Sequence, residues 1–172
     1  MIESVQADQR VSAKTAALLT GKCARTILRW AAIGDIQSVM VGNGRQGAAN
    51  TKHLFDLSTL APHIPVKLTR KFIQSVMKAE AGDTKCLVDV AAYFLSCKQA
   101  SVAISWYEEA AAKGDASAMN SLSECYLKGL GTERNIALGL KWLGEAASHG
   151  NAIAQAKIET LSLLLSDNGV VL

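Results

Sequence analysis

Arg25 and Arg29 stand four residues apart, with Thr26 beside the first. On a helix that spacing turns both guanidinium groups to one side, where like charges slightly destabilise an isolated helix. An anionic partner would offset that cost. A DNA major groove supplies one: a guanidinium can give two hydrogen bonds to guanine O6 and N7, and a threonine can touch a phosphate or a thymine methyl. Lys22 lies just upstream. A second polar and basic cluster, Arg45, Gln46, Asn50 and Lys52, falls in and after the run Gly42-Asn43-Gly44-Arg45-Gln46-Gly47-Ala48-Ala49-Asn50. These residues suit a loop laid along a phosphate backbone or in the minor groove. The bland alternative is a solvated basic face, and an arginine pair also serves acidic protein surfaces.

Other chemistries find less support. The glycine-rich run is no nucleotide loop, because neither strand-GxxxxGK[ST]-helix nor a GxGxxG opening a helix is present. Cys23, Cys86, Cys97 and Cys125 form no CxxC pair, and His53, His63 and His149 show no ligand spacing. No metal and no cofactor are therefore expected. Cys86 and Cys97 share one expected helix, roughly 16 Å apart along its axis, too far to bridge. The cysteines are expected to be reduced. No nucleophile has an adjacent base and no acids pair at a credible site, so no enzyme is expected. No apolar run approaches the ~18 residues of a membrane span. The first residues, with Glu3 and Asp8, lack a basic-then-apolar leader, and the expected compartment is the cytoplasm.

The elements that must position these residues fall into two halves. Residues 1–70 carry nine Lys/Arg against four Asp/Glu, a net +5; residues 71–172 carry nine against eleven, a net −2. Such asymmetry suggests that a polyanion meets the first half only. Both prolines, Pro62 and Pro65, lie in Leu60-Ala61-Pro62-His63-Ile64-Pro65. Proline fixes its own φ and pushes its predecessor out of the helical region. The boundary is therefore placed near residue 66, giving domains 1–65 and 66–172.

In the first half Ser12 is a candidate N-cap, and Ala16, Ala17 and Leu19 form an apolar helical face. Thr20-Gly21-Lys22 reads as a turn. A second helix is expected from about Ala24 to Ala32, with the stripe Ile27, Trp30 and Ala31, ended by Gly34. Two short helices joined by a glycine-containing turn are the helix-turn-helix layout. The β-prone stretch Ile36–Val41 and the alternating stretch Thr51–Leu57 then make a hairpin with the glycine-rich run at its tip.

The order "VSAKTAALLTG…ARTILRW…GDI" followed by "GNGRQGAANTKHLFDLSTLAPHIP" resembles the winged helix-turn-helix of the phage Mu transposase and repressor type. More loosely it is similar to the excisionase and mercury-regulator (MerR-like) group. Ser58, Leu60 and Pro62 approximate the closing segment of the Mu-type pattern, with Ala61 intervening. The resemblance covers about residues 11–65. It implies DNA contact by Arg25, Thr26 and Arg29 and by the wing around Arg45. Two departures stand out: Cys23 replaces the usual capping Ser or Thr, and the wing is less basic. Nothing else of a transposase is present.

The second half repeats. Lys78-Ala79-Glu80-Ala81-Gly82-Asp83, Ala110-Ala111-Ala112-Lys113-Gly114-Asp115 and Ala146-Ala147-Ser148-His149-Gly150-Asn151 align, with glycine spacings of 32 and 36. Ile104-Ser105-Trp106-Tyr107 matches Leu140-Lys141-Trp142-Leu143, and Tyr93 matches Tyr126. Helix pairs at this period mean an α-solenoid. Small residues at 118–122, Tyr126, Gly129 and Gly131, Ala137, Trp142, Ala146-Ala147 and Gly150 resemble the Sel1-like (TPR-like) repeat. That resemblance covers about residues 70–165. The first copy lacks the G-x-G, which predicts a tighter loop. Phe72–Glu80 reads as the second helix of a truncated preceding copy, and Ala152–Leu165 as the first helix of a following one. Tyr93, Trp106, Tyr107, Tyr126 and Trp142 are candidates for a protein-binding surface, with core packing as their alternative role.

The fold expected is mainly α: a small winged helix-turn-helix with a β-hairpin wing, then a short α-solenoid. The function expected is that of a bacterial regulator or adaptor on double-stranded DNA, in a mobile element or in transcription, with a protein partner on the repeats. A scaffold in which both domains bind protein is the alternative. A single copy would bury few contacts on DNA, which favours a homodimer.

Overall fold

A computed structural model of the chain describes residues 9–41 and 52–167. Its internal contacts divide the chain into two units, Met1–Gly82 and Asp83–Leu172. Among the described residues the protein is mainly helical, with one small antiparallel sheet and a helical repeat region.

In the first unit the order is β1 (Arg10–Ser12), α1 (Ala13–Thr20), α2 (Ala24–Ala32), β2 (Ser38–Val41), β3 (Lys52–Asp56), α3 (Leu57–Leu60), a 3-10 turn (Ala61–His63) and α4 (Arg70–Glu80). Ser12 caps α1, its side chain accepting from the Thr15 amide at 3.3 Å. Gly21 ends α1 at φ 65, a conformation that costs a side-chain-bearing residue more than glycine. Apolar side chains at Val11, Ala16, Leu19, Ile27, Phe55 and Leu60 are fully buried and form the core.

The sheet has the order β1-β3-β2, with Val11 opposite Phe55 and Val39 opposite Leu54. The hairpin β2–β3 lies where the alternating pattern puts it. The third strand, β1, went unseen in the sequence because three residues are too few to display a period. The tip residues, including Arg45, Gln46 and Asn50, lie outside the described residues. Phe72, Val76 and Ala79 of α4 are buried, and Glu80 accepts a hydrogen bond from the Ser12 hydroxyl at 3.1 Å. The segment expected as part of a preceding repeat thus packs with β1 in the first unit.

The second unit is a run of helices: α5 (Thr84–Ser96), α6 (Ala100–Ala112), α7 (Ala116–Lys128), α8 (Ile136–Ser148) and α9 (Ala152–Asp167). Side-chain caps start four of them: Asp83 for α5, Asp115 for α7, Asn135 for α8 and Asn151 for α9. Consecutive helices pack on one another along the chain, as a solenoid requires. Only residues 97–99 join α5 to α6, whereas residues 129–135 join α7 to α8. The tighter first loop follows from its missing G-x-G. Phe94 and Trp106 stack in the core at 6.5 Å between ring centroids, beside buried Val90, Met119 and Leu122.

Candidate functional site

Helix α2 is fixed on its inner side and open on its outer side. Ile27 is fully buried. Trp30 stacks on His63 with ring centroids 4.2 Å apart, and His63 Nε2 lies 3.3 Å from Asp35 Oδ2. His63 belongs to the proline-containing segment after the sheet, so that segment clamps the end of α2. Sequence reasoning missed this, since it assigned the segment only a boundary.

On the outer side Arg25 and Arg29 are exposed, and so is Leu28 between them, at 40%. Residues three and four apart share a helix face, so the open surface is a leucine flanked by two arginines. Leu28 was not among the expected site residues. Its place three residues after Arg25, off the Ile27–Trp30–Ala31 stripe, was the available signal. Lys22 is exposed in the turn before α2, and Lys52 is exposed at the start of β3, opposite Val41.

Thr26 stands on the flank of this face and is half-buried. Its hydroxyl oxygen lies 3.3 Å from Cys23 Sγ. Cys23 is the N-cap of α2, with extended backbone, but its side chain makes no capping bond. Hydrogen bonds from the Thr26 hydroxyl and amide hold the Cys23 thiol pKa below the ordinary range. Thr26 is therefore engaged within the helix start, whereas Arg25 and Arg29 project freely into solvent.

The aromatic residues of the second unit separate into two groups. Trp106 and Tyr107 are buried in the core and offer no surface to a partner. Their large rings fill the space that the small residues of neighbouring helices leave, and this corrects their assignment to a binding surface. Burial also pushes the Tyr107 pKa up. Tyr93, Tyr126 and Trp142 are half-buried. The Tyr126 hydroxyl donates to Glu108 Oε1 at 3.4 Å, and burial, with the Glu108 charge, raises its pKa. Among the described residues no group of three or more His, Cys, Asp or Glu could hold a metal ion. No described helix is long and apolar enough to cross a membrane.

The loop between α7 and α8 carries the deciding local geometry. Gly129 ends α7 at φ 69 and Gly131 follows at φ 73. A Cβ on Gly131 would meet the Ala100 carbonyl carbon at 2.4 Å, so this loop lies directly on the start of α6. Residues 98–115 and 116–151 match the Sel1 repeat. The second match spans α7 and α8 and ends where the Asn151 cap begins the next helix. The first takes in α6. Neither curated proteins nor solved structures give a match. Sel1 repeats make this region a protein–protein interaction module.

Proposed function

We propose that the protein is a bacterial DNA-binding regulator or adaptor: its first unit grips double-stranded DNA in the manner of a winged helix-turn-helix, and its Sel1 repeats hold a protein partner. The observation that carries the reading is the outer face of α2. Arg25, Leu28 and Arg29 project from a short helix whose opposite side is anchored by Ile27 and by the Trp30–His63–Asp35 cluster. A pre-organised helix with two guanidinium groups around an apolar side chain suits a major groove: the arginines reach guanine edges and the leucine a thymine methyl. Arg45, Gln46, Asn50 and Lys52 would follow the phosphate backbone from the adjacent hairpin. Thr26 then supports the helix start and adds a phosphate contact.

The test is selection of bound fragments from a random DNA library by the full-length protein at physiological salt. One enriched motif is expected. Arg25→Ala should cost about 1–3 kcal/mol and relax one base position, and the double change with Arg29→Ala should abolish enrichment. Arg45→Ala should weaken all sequences alike. Affinity should fall steeply with salt, because each neutralised phosphate releases counterions. Absence of enrichment from a folded protein would sink the reading.

A scaffold in which both units bind protein is the second reading. Its support is the exposed apolar surface of the first unit, where Ile33 and Met40 are 71% and 67% open. In that case the arginine changes leave DNA association unaltered and reduce capture of an acidic protein surface instead.

A further inference from the structure

Helix α9 starts a third copy of the repeat. Shifting by 36 residues places Leu122 on Ile158 and Cys125 on Leu161. In α7 those two positions are 0% and 1% exposed, covered by the neighbouring helices; in α9 they are 37% and 41% exposed. Among the described residues no helix follows α9 to cover them. Ile153 and Leu164 are more open still, at 61% and 55%. A groove of about 630 Å³ runs along this side, lined by Leu127 of α7, Leu143 of α8 and Ile153, Ala156, Thr160 and Leu161 of α9.

The stripe has two properties that bear on what covers it. Its only charge is Lys157, and that ammonium is already held by Glu124 at 2.8 Å and Asn120 at 3.0 Å on α7. A partner therefore needs no compensating charge, and a copy of the same surface brings no repulsion. The stripe is also graded in size. Ala152 and Ala156 lie toward the helix start, and Leu161 and Leu164 toward its end.

We infer that α9 pairs antiparallel with α9 of a second copy of this chain, about a two-fold axis between residues 158 and 159. That axis sets Leu161 of one copy over Ala156 of the other and Leu164 over Ile153, and symmetry makes each contact twice. Large side chains then enter the spaces left by small ones, as helix packing requires. The inference is independent of the DNA-binding reading.

The test is the molar mass of the full-length protein in solution, by light scattering through the micromolar range. A dimer is expected. Ala156→Glu and Leu161→Lys, both at solvent-open positions, should each weaken it at least about tenfold without loss of helical circular dichroism. An equimolar mixture of the two variants should associate again, because the pairing sets the introduced carboxylate against the introduced ammonium. A monomeric wild type overturns the inference without recourse to any variant. So does a dimer that survives both changes, or a pair of folded monomeric variants that fail to associate when mixed.

Discussion

Cys23 occupies the capping position of α2 without capping it. A hydroxyl there would accept from the first free amides of the helix. Cys23→Ser should therefore stabilise the first unit by about 0.5–1 kcal/mol, read as a higher melting temperature. The glycines of the second unit offer a contrast at the same scale. Gly150 sits at φ 82 with open space around its missing Cβ, whereas Gly131 sits at φ 73 against Ala100. Alanine at 150 should cost only the left-handed backbone, about 1–2 kcal/mol. Alanine at 131 adds a steric clash with backbone that cannot rotate away, so Gly131→Ala should be clearly the more damaging in denaturant titrations. A smaller effect at 131 than at 150 would contradict the packing described. Sequence reasoning singled out Gly131 by its motif, but not the reason for it, because Ala100 lies across the fold from it.

At the scale of elements, legibility followed local signals. Helices α1 and α2 were readable because a serine, a glycine and an apolar spacing mark their ends. The repeat helices were readable because the same small residues recur. Strand β1 and the placement of α4 were not, since each depends on partners distant in the chain: Phe55 for the strand, Ser12 for the helix. The arginine face of α2 could be read from spacing alone, while its anchoring through His63 could not. Helix α9 owes part of its placement to the Lys157–Glu124 contact. That ammonium, with a smaller share from Lys128, lowers the Glu124 pKa. A carboxylate with a depressed folded pKa contributes stability above the ordinary glutamate range and loses it as pH falls through the folded value. The pair is partly exposed, so Glu124→Gln should cost less than about 1 kcal/mol near pH 7. The difference between variant and wild type should vanish in acid, below the depressed pKa. A gap that persists in melts at low pH would point to packing instead of charge.

At the scale of the whole molecule the charge is divided, with the basic excess in residues 1–70 and a small acidic excess after them. That division was visible in composition and agrees with assigning the polyanion to the first unit. The two glycine junctions of the second unit carry a further consequence. Gly114 and Gly150 have φ of 85 and 82, and their amides donate to Ala111 and Ala147. Asp115 and Asn151 then donate back to Ala110 and Ala146 at 3.1 and 3.0 Å and cap the next helix. The joints before α7 and before α9 are thus interchangeable to the chain. A block running from one joint to the next can be duplicated or excised with its hydrogen bonds reconnected, while inserting a single residue anywhere inside it breaks the register. Such an array changes length in whole modules, by tandem copying of one genetic segment, and its reach toward a partner is set by how many times that segment has been copied.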